Sequence, residues 1–155
     1  MNDTPRFRNP DKLQVLPYRD WLWRNLPPGR SGYVVEDLDL VLRIYGPMYD
    51  SDADGRLMFV ELKFGNTTIN PAQRKTFGLI DNLMRRGDPD GRRYAGYFVL
   101  NYADEDWDVS SWFRVNGVSL TREQLIAFVQ FDSALLETIR SSGVNPLGTN
   151  NGNEG

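Results

Sequence analysis

The chain has 155 residues, enough for one domain with a sizeable core, and its 40% hydrophobic and 25% charged content are those of an ordinary globular protein. It contains no cysteine and no histidine, which excludes disulfides, thiolate or imidazole zinc sites, cysteine nucleophiles and Ser-His-Asp hydrolysis and leaves carboxylates, lysine, hydroxyls and a hard metal such as Mg²⁺ or Mn²⁺ for any hydrolytic chemistry. A net charge of −3 argues against indiscriminate coating of nucleic acid but permits a local basic groove.

Met1 to Asp11 is polar, with Pro5 and Pro10 and no signal-peptide core. It reads as a flexible arm, residues 1–11, whose Arg8, with Lys12 just beyond it, is a candidate phosphate contact. No apolar run in the sequence is long enough to cross a bilayer, so a cytoplasmic protein is expected.

Pro17 to Leu26 reads as a short helix, with Pro17 in its first turn and Pro27-Pro28-Gly29 ending it. Trp21 and Trp23 cannot share a helix face at that spacing. One packs with Leu22 or Leu26, and the other meets solvent or a ligand.

Tyr33 to Tyr45 reads as extended, with a break at Glu36-Asp37 and a stop at Gly46-Pro47. Strand side chains alternate. Leu38, Leu40, Leu42 and Ile44 therefore line one face, and Asp37, Asp39, Val41 and Arg43 the other. After an acidic turn at Asp50 to Gly55, Leu57 to Phe64 is expected to return as an antiparallel partner. Met58, Val60, Leu62 and Phe64 give it one apolar face, while Leu57, Phe59, Glu61 and Lys63 share the other. Charges set among apolar residues point to a half-covered face, where each must be paired or hold a metal.

Asn70-Pro71 starts a helix, Asn70 as cap and Pro71 at the first position, running to about Arg86. Its expected apolar stripe is Phe77, Ile80, Leu83 and Met84, with Leu79 beside it. Tyr94 to Leu100 is a buried strand, Asn101 to Ser110 an acidic loop, and Trp112 to Val115 a short strand turning at Asn116-Gly117. Ser119 or Thr121 caps a last helix, Arg122 to Phe131, buried through Leu125, Ile126, Phe128 and Val129. Ala134 to Ile139 either extends that helix or forms another turn. Residues 141–155 offer little to bury and read as a disordered tail, which leaves a single domain over 12–140. The order of elements predicts an α/β domain layered around a central sheet.

Asp50, Asp52, Asp54, Gly55 and Glu61 also satisfy the calcium-loop pattern of an EF-hand. That motif needs a helix on each side. Gly46-Pro47 breaks the incoming side, and the outgoing side alternates as a strand. An acidic hairpin turn is the plainer reading, and a calcium-binding protein is the alternative.

An Asp on a hydrophobic strand, then Glu-x-Lys on the next strand, then a helix bearing Gln resembles the PD-(D/E)XK nuclease superfamily. The residues that carry the resemblance are Asp39, Glu61-Leu62-Lys63, and Gln73 in Pro71-Ala72-Gln73-Arg74-Lys75. The resemblance spans roughly Pro17 to Leu100 and is closest to the Holliday-junction-resolvase-like and VRR-NUC-like branches, where a Gln-Arg pair opens the helix. It implies a restriction-endonuclease-like αβββαβ core, a mixed central sheet flanked by helices, and a Mg²⁺- or Mn²⁺-dependent deoxyribonuclease. Leu38 stands where the motif often has proline, the first helix offers only Asp20 for a glutamate found in some branches, and Asp37 competes with Asp39. In this reading Asp39, Glu61 and the Leu62 carbonyl bind the metal. Lys63 and Gln73 complete the catalytic set, and Arg74 and Lys75 join Arg8 and Lys12 in contacting DNA. The implied partner is duplex or branched DNA, with a homodimer where two strands are cut. The alternative on the same fold is a catalytically inactive module that binds nucleic acid or protein.

Overall fold

The computed structural model describes residues 6–7, 24–25, 34–35, 38–44 and 55–148. The chain divides into two compact units, 1–37 and 38–155. In the first, β1 (Arg6–Phe7) pairs in parallel with β2 (Val34–Val35), and Arg24 and Asn25 are helical. Arg8, Lys12, Trp21 and Trp23 lie outside the described residues.

The second unit is an α/β fold built on a five-stranded mixed sheet. Its strands β3 (Leu40–Arg43), β4 (Leu57–Phe64), β5 (Tyr94–Tyr102), β6 (Phe113–Val115) and β7 (Val118–Leu120) lie side by side in chain order. Neighbours run antiparallel except β4 and β5, which are parallel and joined by helix α1 (Pro71–Gly87). A parallel pair needs such a crossover because its connection must return the length of the strand. Two more helices follow, α2 (Arg122–Val129) and α3 (Ser133–Ser142).

The alternation expected in β4 sets the layers. Met58 and Val60 are buried with Phe98, Leu100, Phe128, Leu136 and Ile139, on the face covered by α2 and α3. Phe98 and Phe128 meet edge to face with centroids 5.2 Å apart. On the opposite face Phe59 packs with Ile69, Phe77, Tyr97 and Val99 beneath α1, and Phe77 stacks on Tyr97 at 5.0 Å.

Several side chains depart from the pattern. Leu38 packs on the α1 side, not with Leu40 and Leu42, because the backbone bends at Asp39 and the alternation does not run through it. Val41 is 59% exposed, so the polar face of β3 is open and only that of β4 is covered. Phe64 is also exposed and turns edge-on to Tyr102. On α1, Leu79 and Leu83 face solvent, and the buried stripe narrows to Gln73 and Phe77 with Ile80 partly covered. On α2, Leu125 and Phe128 are buried while Ile126 and Val129 are exposed.

Thr121, not Ser119, caps α2, through a capping box with Gln124. Phe131, with φ of 63°, breaks the chain out of α2, and Asp132 caps α3 as a separate helix. Of the tail expected over 141–155, residues 141–148 are built into the fold: α3 runs to Ser142, and the Val144 N–H donates to the Asn116 carbonyl, while 149–155 lie outside the described residues. Asn116 and Gly117, at φ of 49° and 82°, form the expected turn between β6 and β7. Among the described residues no helix is long and apolar enough to cross a membrane.

Candidate functional site

Glu61 and Lys63 leave β4 on the same side, and α1 covers them. Exposed ion pairs contribute under about 1 kcal/mol. This pair is different: Glu61 is fully buried and Lys63 is 7% exposed. The Lys63 ammonium donates to Glu61 Oε1 over 2.8 Å. Gln73, 1% exposed, donates from Nε2 to the same oxygen, also over 2.8 Å, and its Oε1 lies 3.4 Å from the Lys63 ammonium.

The start of α1 places Gln73. The Asn70 side chain accepts the Gln73 N–H at 2.8 Å, and Gln73 Oε1 accepts the Asn70 N–H at 3.2 Å. The glutamine thus closes a capping box and holds the carboxylate with one side chain. The preceding loop is pinned from β5. Asn101, which stands beside Lys63 in the β4–β5 register, donates from Nδ2 to the carbonyls of Gly65 and Thr67 at 2.9 and 2.8 Å. Sequence reasoning missed Asn101. Its only signal was an amide directly after the buried run Tyr94 to Leu100.

Asp39 reaches the same strand differently. It is exposed, and its Oδ2 accepts the Leu62 N–H at 2.8 Å. The bond comes where the β3–β4 ladder stops, one residue beyond the pairing of Leu40 with Val60. A strand residue sends its N–H and carbonyl out on the same side, so the Leu62 carbonyl also faces the β3 edge. Burial first, then the charges of Glu105 and Asp39, push the Tyr102 phenol above its ordinary range. Tyr102 belongs to the layer under α2 and α3, which sets Asp39 at the end of the sheet, within electrostatic reach of that layer.

The structure therefore joins Glu61, Lys63 and Gln73 into one hydrogen-bonded cluster and brings Asp39 to its border, at the residue between Glu61 and Lys63. Among the described residues no group of three or more acids is placed to hold a metal ion. Two carboxylates and a carbonyl remain a hard-oxygen donor set that suits Mg²⁺ or Mn²⁺. Lys63 and Gln73 both donate to Glu61 Oε1, which fixes the orientation of the carboxylate. Arg74 and Lys75 are exposed on the first turn of α1, which carries no acid, and the positive end of the helix dipole adds to their potential for phosphate.

Residues 50–54 of the acidic turn lie outside the described residues. The segment that follows them is strand, and Glu61 sits within it, as expected for a hairpin and unlike the helix an EF-hand requires. In comparisons with protein-family models, curated proteins and solved structures, nothing matches this chain.

Proposed function

We propose that the chain is a Mg²⁺- or Mn²⁺-dependent deoxyribonuclease, an endonuclease that hydrolyses DNA phosphodiester bonds in the cytoplasm. One observation carries the reading: Glu61, Lys63 and Gln73 form a single buried hydrogen-bonded set. An ion pair so completely desolvated is a poor device for stability, since well-packed apolar residues serve a core at least as well. Its burial under a helix that opens beside exposed Arg74 and Lys75 favours a chemical role.

Asp39, Glu61 and the Leu62 carbonyl would hold the cation, which when bound supplies Lewis acidity to the scissile phosphate and a lowered pKa to water. Glu61 orients Lys63 through the bond at its Oε1, and Gln73 fixes both. The Lys63 ammonium is a compact charge suited to neutralising what develops on the phosphoryl oxygens during attack. Arg74 and Lys75 steer the strand toward this end of α1.

Supercoiled plasmid incubated with Mg²⁺ or Mn²⁺ tests the proposal. Nicking is expected in the unaltered protein and absent in Glu61→Ala and Lys63→Ala. Nicking that survives both substitutions would refute the assignment. The bond between Asp39 Oδ2 and the Leu62 N–H favours the second reading, a non-catalytic DNA-binding module, because it commits one oxygen of the expected metal ligand. Metal-independent DNA binding without nicking would establish that reading.

A further inference from the structure

A cleft of about 470 Å³ opens on the other side of the loop that precedes α1. That volume is in the range of small-ligand pockets. Its floor is Val99 and Asn101, the β5 partners of Glu61 and Lys63 in the sheet register. Adjacent strands lie about 4.8 Å apart, so the cleft is one strand removed from the proposed reaction centre. Thr68, Ile69, Arg74 and Val144 also line it.

The chemistry of the lining is selective. Ile69 and Val99 are buried apolar surfaces. Threonine and asparagine side chains supply the polar groups, and among the described residues Arg74 is the one cation and no acid lines the cleft. Among the described residues Arg74 has no carboxylate partner, in contrast to Arg85 and Arg140. An apolar slot with hydrogen-bonding edges and an arginine at its rim matches one nucleotide: a base against the apolar wall, amides at its edge, a phosphate on the guanidinium.

We infer that this cleft receives one unpaired nucleotide of the strand whose backbone meets Glu61 and Lys63. The inference rests on the nuclease reading and narrows its substrate to DNA with unpaired bases, such as single strands, flaps or branch points. A base held in a stacked duplex reaches such a cleft only after unpairing, which costs a few kcal/mol.

The test is binding of fluorescein-labelled dT12, against a blunt hairpin duplex of the same length, by anisotropy in EDTA, where no cleavage intervenes. The unaltered protein is expected to prefer dT12 by roughly tenfold. Val144→Trp, at a position 73% exposed, fills the cleft, and Arg74→Ala removes its cation. Each is expected to abolish the preference, and because both residues are exposed, retained helicity checks the fold. Equal affinity for the two DNAs, no binding of dT12, or full affinity in both variants would overturn the inference. Plasmid nicking separates the two proposals. Nicking with a cleft indifferent to dT12 refutes only the cleft. Cleft-dependent binding without nicking refutes only the nuclease.

Discussion

Glu61 and Gln73 are twelve residues apart in sequence, yet a carboxylate oxygen of one accepts from the amide of the other at 2.8 Å, with both side chains buried. This bond ties the strand that bears the charges to the helix that covers them. The energetics of the site follow from it.

Removing one member of the buried pair strands the other. Glu61→Gln is expected to destabilise the metal-free protein by about 3 kcal/mol, because Lys63 keeps its burial and loses its anion. Lys63→Met is expected to do the same from the other side. The double variant should lose much less than the two losses added together, since neither charge is then left behind. Urea titrations of the four proteins measure the coupling, and simple additivity would mean that the pair is not coupled.

Gln73→Leu keeps bulk at the start of α1 but removes a cap bond and a bond to Glu61. A loss of about 2 kcal/mol is expected, together with a fall in nicking rate. Gln73→Glu should be worse for the fold near neutral pH, because it sets a second carboxylate against Glu61. Thermal melts as a function of pH separate the two, since only the Glu variant should recover as acid protonates it.

Asp39→Asn leaves an acceptor for the Leu62 N–H and removes only charge. Stability without metal is expected to stay within about 1 kcal/mol, because the residue is exposed and its bond can be remade. Mn²⁺ affinity, followed by calorimetry, should fall, and nicking with it. Unchanged Mn²⁺ binding would remove Asp39 from the metal set.

Asp88, at the end of α1, accepts the N–H groups of Tyr94, Arg93 and Arg92, which hold its carboxyl below the ordinary value of 3.8. A depressed carboxyl contributes stability that is fully present above that value and lost as pH falls through the lower folded one. Asp88→Asn should therefore flatten the acid limb of the stability curve below about pH 4 and leave the shape near neutrality unchanged. Denaturant midpoints across that range give the answer.

Much of the sheet and the cap of α1 were legible because they are local. Alternation in Met58 to Lys63 gave the two faces of β4, and Asn70-Pro71 gave the first residue of the helix. The grouping of Glu61, Lys63 and Gln73 was expected because their order along the chain resembles a known nuclease motif. What was not legible depends on distant surroundings. Leu79, Leu83, Ile126 and Val129 satisfy helical periodicity, but how wide a stripe is buried depends on what lies opposite. The bend at Asp39 and the grip of Asn101 on the Gly65–Thr67 loop are tertiary, and neither has a periodic signature.

The double duty of Gln73 has a consequence for how the chain can vary. Adding or deleting one residue between Gly65 and Asn70 would advance or retard the helix start by about 100° of rotation, and either the cap or the grip on Glu61 would be lost. The length of that short connection is therefore fixed by the two bonds Gln73 makes, and variants that keep both bonds are expected to change its letters but never its count.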